Sequence, residues 1–139
     1  MPHDATRVAD TRGWLLKARA DLRGAEVDLA AVPPLTGDAA FHCQQAAEKT
    51  LKAFLAWHDV PFRKTHDLAE IGLQCLAVDV SLEPVCRRAE RLTPFAWIFR
   101  YPGDADEPPA TEIADALVLA REVYDAIVAR LPVEVWPPG

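Results

Sequence analysis

AFHCQQAAEKTLKAFLAWHDVPFRKTHDL, residues 40–68, decides the fold, because it holds a long helical period, the signal that stops it and the start of the next element. At about 100° per residue, Cys43, Ala46, Ala47, Thr50, Leu51, Ala53, Phe54 and Trp57 fall on one broad arc. Gln44, Gln45, Glu48, Lys49 and Lys52 fall on the other. Apolar residues that recur at three and four, and not at two, predict a helix over 37–59, with Thr36 or Asp38 to cap it and Pro61 to stop it. The polar arc has two readings. One is a solvated face, in which Gln44 with Glu48 and Glu48 with Lys52 are stabilising i,i+4 neighbours. The other is a site: Phe41 lies near the middle of this arc, and an exposed aromatic among amides and charges marks a partner or ligand surface. Phe41 in a first turn, tucked under the preceding loop, is the plainer alternative.

Outward from this helix the same period recurs. Trp14, Leu15, Ala18, Leu22, Ala25 and Leu29 form a stripe that predicts an amphipathic helix over 11–31, ended by Pro33 and Pro34. Leu68, Ile71, Cys75 and Leu76 give a shorter helix over 66–78, opened by a capping-box-like group of Thr65, Asp67 and Glu70. A fourth is expected over 82–99, with Pro84 tolerated in its first turn and Pro94 marking a kink or an end. Thr111 is placed to cap a fifth over 111–130, whose inner side carries Ile113, Ala116, Leu117, Ala120, Val123, Tyr124 and Ile127. Alternating strands are not evident, so the fold class is all-α: an up-and-down bundle of about five helices built on the long first, second and fifth.

With 139 residues, half of them hydrophobic, the chain suits one domain over 1–139, followed from about residue 131 by a short irregular tail. That tail, LPVEVWPPG, is expected either to fray or to clasp a partner subunit. Cys43, Cys75 and Cys86 are odd in number and match no zinc or redox spacing, which fits apolar packing in a reducing, cytoplasmic compartment. The first residues lack the apolar run of a signal peptide, and no stretch has the length of a membrane span, so a soluble, unprocessed protein is expected. The net charge is −6 with the acids dispersed, which argues against a general electrostatic grip on nucleic acid and leaves room for a small basic site. Trp14, Phe54, Trp57, Phe95, Trp97 and Phe99 read as core or as the seam of a dimer. His42 and His58 share one helix without a third ligand at metal spacing, so no metal is expected.

The string FHCQQAAEKTLKAFLAWHDVPFRKTHDLAEI, followed some thirty residues later by FRYPGD, resembles the HEPN domains, the "higher eukaryotes and prokaryotes nucleotide-binding" domains, in their small bacterial and archaeal branch. The likeness lies in three motifs: the QQAAEKTLKA run, THDL at the start of the third helix, and RYP ahead of the last. It implies a bundle of about five helices, commonly a homodimer, encoded beside a small nucleotidyltransferase as a two-component, often toxin–antitoxin, pair. Other members of that family are metal-independent RNases, whose centre is an Arg followed after four to six residues by a His. Here no Arg lies five to seven positions before His3, His42, His58 or His66, and Arg100 is followed by YPGDADEP. Without that His, no neighbouring group titrates near neutrality to serve as the general acid or base, so no catalytic residue is assigned.

The candidate ligand-binding residues are therefore Gln45, Glu48, Lys49, Lys52, Lys64, His66, Arg100 and Tyr101. His66, beside Arg63, Lys64 and a helix start, suits an anion such as a nucleotide phosphate; the structural alternative is a hydrogen bond that fixes the loop. Arg100 and Tyr101 suit a base, a phosphate or a dimer partner. Alternatively Tyr101 packs on the second helix against Glu48 or Lys52, and Arg100 pairs with an acid. The expected function is a non-catalytic HEPN-type module that binds a nucleotide or a partner nucleotidyltransferase, with no cofactor beyond that nucleotide. An RNase using a displaced centre of Arg63, Lys64, His66 and Tyr101, and a ligand-free dimerisation scaffold, are the alternatives.

Overall fold

A computed structural model describes residues 3–103 and 105–139, and within them the chain is a bundle of five α-helices with short 3₁₀ turns between them. They are α1 (Ala5–Ala30), α2 (Thr36–Trp57), α3 (Leu68–Val78), α4 (Glu83–Ala89) and α5 (Ala110–Val128). No strand occurs among the described residues. The predicted stripes form the core: Leu15, Ala18, Leu22 and Ala25 of α1, Ala46, Leu51 and Phe54 of α2, and Ile113, Ala120, Val123 and Ile127 of α5 are buried together, joined by Leu55, which lies outside the predicted arc of α2. Removing such side chains from water is the main stabilising term, about 1.5–3 kcal/mol for each large one.

α1 begins earlier than its apolar stripe, because Asp4 caps it by accepting the Arg7 N–H at 2.9 Å. Arg7 then reaches the far end of α2, where Nη1 donates to the Trp57 carbonyl at 3.1 Å and the guanidinium lies over the Trp57 ring. A cation at the carbonyl end of a helix is favourable, and this contact shows that α1 and α2 run antiparallel. α2 closes in a Schellman turn: Val60 N–H bonds the Leu55 carbonyl at 2.9 Å and Asp59 N–H bonds that of Ala56 at 3.2 Å, with Asp59 at φ 56°.

Three predicted ends are corrected. Neither Thr36 nor Asp38 caps α2 with its side chain; the Glu107 carboxylate does so from the loop before α5, accepting from Gly37 N–H at 2.6 Å and Thr36 Oγ1 at 3.1 Å. Gly37 makes room for it, since a Cβ there would stand 2.6 Å from the carboxylate. The expected fourth helix breaks into a 3₁₀ turn at Val80–Leu82, α4, and a 3₁₀ stretch at Glu90–Ala96 that contains Pro94. Proline there has no N–H for the α ladder and crowds the carbonyl four residues back, so the tighter winding replaces it. Thr111 lies inside α5, with Pro109 at the cap position.

The tail docks on α1 of its own chain. Arg12 donates to the Glu134 carbonyl, Arg19 Nη1 donates to that of Pro138 at 2.9 Å, and Val135 is fully buried. Of the aromatic cluster, Phe54 and Trp57 are core, Trp14, Phe95 and Phe99 pack against it, and Trp97 is exposed. All three cysteines are buried and free; burial pushes the Cys43 thiol up to about 12 and that of Cys86 to about 11. Among the described residues no helix is long and apolar enough to cross a membrane.

Candidate functional site

The polar arc of α2 is not a solvated face. Gln44, Gln45, Glu48 and Lys52 are 0%, 9%, 3% and 7% exposed. Trp14 from α1 and Phe62 from the 58–67 loop, which meet edge to face, both lie under the Lys52 ammonium at 5.7 and 5.6 Å. Helical periodicity reports polarity and not what covers it, and here an aromatic pair and a loop cover it.

Buried polar groups require partners, and these have them. Glu48 Oε1 accepts from Gln44 Nε2 at 3.1 Å and from His66 Nδ1–H at 2.7 Å, while Oε2 takes Lys52 Nζ at 2.9 Å. Gln44 Nε2 also donates to the His66 carbonyl at 3.1 Å, and Gln45 Nε2 donates to Gln44 Oε1 at 2.7 Å. Burial alone would raise the Glu48 carboxyl, but the hydrogen bonds from His66, Lys52 and Gln44 outweigh it and hold the group below its ordinary value. His66 is thereby gripped twice, by ring and by backbone, although its side chain is 59% exposed. Asp67, next in THDL, caps α3 by accepting Ala69 N–H at 3.0 Å, and Thr65 Oγ1 accepts from Asp67 N–H. Glu70 is drawn instead to Arg63 at 2.7 Å.

One turn earlier on α2, the Arg100 guanidinium stacks 4.0 Å over the Phe41 ring, and Nη1 donates to the Ala96 carbonyl at 3.3 Å. Phe41 is half-buried under that cation, so neither of its predicted placements is complete. Arg100 stacks on an aromatic face, and among the described residues no acid pairs with it; Phe99, at φ 70°, turns the chain into this position. Tyr101 is exposed, as is Lys64 on the loop leading to His66. Phe41, Arg100 and Glu107 line a pocket of about 420 Å³.

Lys49 belongs elsewhere. Its ammonium meets Asp21 Oδ2 of α1 at 2.7 Å, and Asp21 Oδ1 accepts from His42 Nδ1–H at 2.8 Å. The other ring nitrogen of His42 faces Asp38 Oδ2 at 3.6 Å and Asp28 Oδ2 at 3.9 Å. Burial, then the hydrogen bond and charge of Asp38, push the Asp28 carboxyl up to about 6, against the opposing influence of His42. Among the described residues, Asp28, Asp38 and His42 are the group whose donor atoms lie close enough together to hold a metal ion. Sequence reasoning passed over these acids. The available signal was that Asp21 and Asp28 keep the helical spacing of Ala18 and Ala25, on the stripe that α1 buries.

The three sequence motifs thus meet on α2: THDL through Glu48 and Gln44, and FRYP through Phe41. Residues 11–131 match the HEPN domain family profile. The crystal structure of TT1696 from Thermus thermophilus is similar, at 29% sequence identity and a TM-score of 0.72, covering 87% of this chain and 98% of that one. No curated protein matches the chain.

Proposed function

Because the chain belongs to the HEPN domain family, we propose that it is a non-catalytic helical module that binds a nucleotide, a partner nucleotidyltransferase or both, as one half of a two-component, toxin–antitoxin-like pair. The observation that carries this reading is the way α2 holds outward-facing groups from beneath: Glu48 and Gln44 grip His66, and Phe41 supports Arg100. With Lys64 and Tyr101, these supply cations and an aromatic ring, the groups that suit a phosphate and a base. Gln45, Glu48 and Lys52 are buried, so their part is to position and not to touch the ligand; Lys49 is tied to Asp21. A homodimer, as in the relatives that the sequence resembles, belongs to the same proposal and is read directly by light scattering.

The test is a thermal shift with ATP, GTP and their diphosphates, together with co-purification of the neighbouring gene product. A ligand at one hundred times its Kd stabilises the folded state by about 2.7 kcal/mol. That gain should disappear in Arg100→Ala and His66→Ala. No shift with any nucleotide and no co-purifying nucleotidyltransferase defeats the reading.

One observation favours an RNase as the second reading. Glu48 accepts from Nδ1–H of His66, which leaves Nε2, on the opposite edge of the ring, as the acid–base atom of a largely exposed histidine. Cleavage of tRNA or mRNA by wild type, lost in His66→Ala, would establish it.

A further inference from the structure

We propose that Asp28, Asp38 and His42 form a binding site for one divalent first-row transition-metal ion, with Asp21 as the carboxylate that orients the histidine from behind. Asp38 and His42 are i,i+4 on α2 and so share a face; the antiparallel pairing with α1 brings Asp28 to them.

The donor atoms are close to the spacing an ion demands. They lie within 4.8 Å of one another, with 3.6 and 3.9 Å between the histidine nitrogen and the two carboxylate oxygens. Bonds of about 2.0–2.2 Å at ordinary coordination angles place ligand atoms roughly 3–4 Å apart. The histidine is also prepared for the task. Asp21 has only acceptors to offer, so Nδ1 carries a proton, and in the neutral ring the Nε2 lone pair faces the two carboxylates. Lys49 holds the second oxygen of Asp21, completing the outer arrangement that metal-binding histidines usually have. Gly24 leaves room for the ring: a Cβ there would stand 3.0 Å from Nε2 and Cε1.

An independent observation points to a cation. Asp28 is 7% exposed, and its Oδ2, the atom that faces His42, is buried and receives no backbone, hydroxyl or amide hydrogen, so that only a proton shared with Asp38 or His42, or a cation, satisfies it. With the ring neutral and both acids ionised, two carboxylates and an imidazole lone pair converge, three acceptors that need a cation between them. A doubly charged ion balances the two carboxylates and satisfies all three. One nitrogen with two oxygens suits Zn²⁺ or Mn²⁺. Asp38 and His42 also line the pocket beside Arg100, so coordination positions beyond the three protein ligands open there.

The test is calorimetric titration of chelator-treated, full-length protein with ZnCl₂, with MnCl₂ as a second probe. One Zn²⁺ per chain is expected, with affinity reduced at least tenfold in Asp38→Asn, whose side chain is 61% exposed and not needed for packing. Asp21→Asn should weaken binding about 10- to 100-fold, the usual effect of losing an outer-shell partner. No Zn²⁺ uptake by wild type, as when the two carboxyls merely share a proton, overturns the proposal. Equal uptake by wild type, Asp38→Asn and His42→Ala overturns it too, because the ion is then held elsewhere. In unmodified protein, Mn²⁺ should broaden the His42 ring signals in NMR selectively; broadening elsewhere, or none, refutes the assignment.

Discussion

Removing the Glu48 carboxylate would strand the Lys52 ammonium between Trp14 and Phe62 and release the His66 ring, leaving Gln44 as the remaining hold on the His66 backbone. Breaking a buried pair from one side costs about 3–5 kcal/mol, because the surviving charge keeps its burial and loses its partner. Glu48→Ala should lose about that much in urea denaturation, while Glu48→Gln, which keeps some hydrogen bonds, loses less. The pH dependence has a definite sign. The folded-state carboxyl titrates below its ordinary 4.5, so the unfolded chain takes up the proton first as pH falls. The stability it contributes is fully present above that value and is lost as pH drops through the lowered one. Glu48→Gln should therefore show a flatter acid limb of stability against pH than wild type. The residues of this network were legible in the sequence as a polar arc, and their burial was not. Nothing in a helical wheel tells that Trp14, 34 positions before Glu48, and the loop before THDL lie on top of it.

At the scale of elements, the two ends of α2 are held by different chemistry, and each end makes a prediction. Asp59 occupies the left-handed position of the Schellman turn, where an L side chain is strained and glycine is not. Asp59→Gly should stabilise the protein by about 0.5–1 kcal/mol despite glycine's greater freedom in the unfolded chain, since an L residue in this conformation costs roughly 1–2 kcal/mol. A raised urea midpoint at unchanged slope is the expected result. At the other end Glu107 replaces the local cap expected of Thr36 or Asp38. Glu107→Ala should cost about 0.5–2 kcal/mol, the range for losing an N-cap. Gly37→Ala should reproduce that loss, because the new methyl group displaces the carboxylate. Helices α1, α2, α3 and α5 were legible because their apolar residues follow one period. The break of α4 and the true cap of α2 were not, since one depends on how Pro94 resolves its missing hydrogen bond and the other on a residue 70 positions away.

The whole molecule closes on itself through its last residues. The tail has no period from which to predict a docking site; Val135 enters the core while Arg12 and Arg19 of α1 donate to carbonyls on either side of it. Trp136 Nε1 donates to the Leu131 carbonyl at 3.0 Å, which bends the segment back toward the end of α5. Val135→Ala removes two buried carbons, a loss of about 1.6 kcal/mol by transfer alone and more where the cavity does not collapse. In a domain of this size each kcal/mol lowers the melting temperature by about 3–4 °C, so a fall of roughly 5–8 °C is expected. The same measurement distinguishes a tail on its own chain from one exchanged with a partner. An exchanged tail ties its contribution to association, so the gap between wild type and Val135→Ala would widen as the protein is diluted. For a tail docked on its own α1 the gap stays constant from micromolar to hundreds of micromolar protein, whatever the oligomeric state of the rest of the bundle.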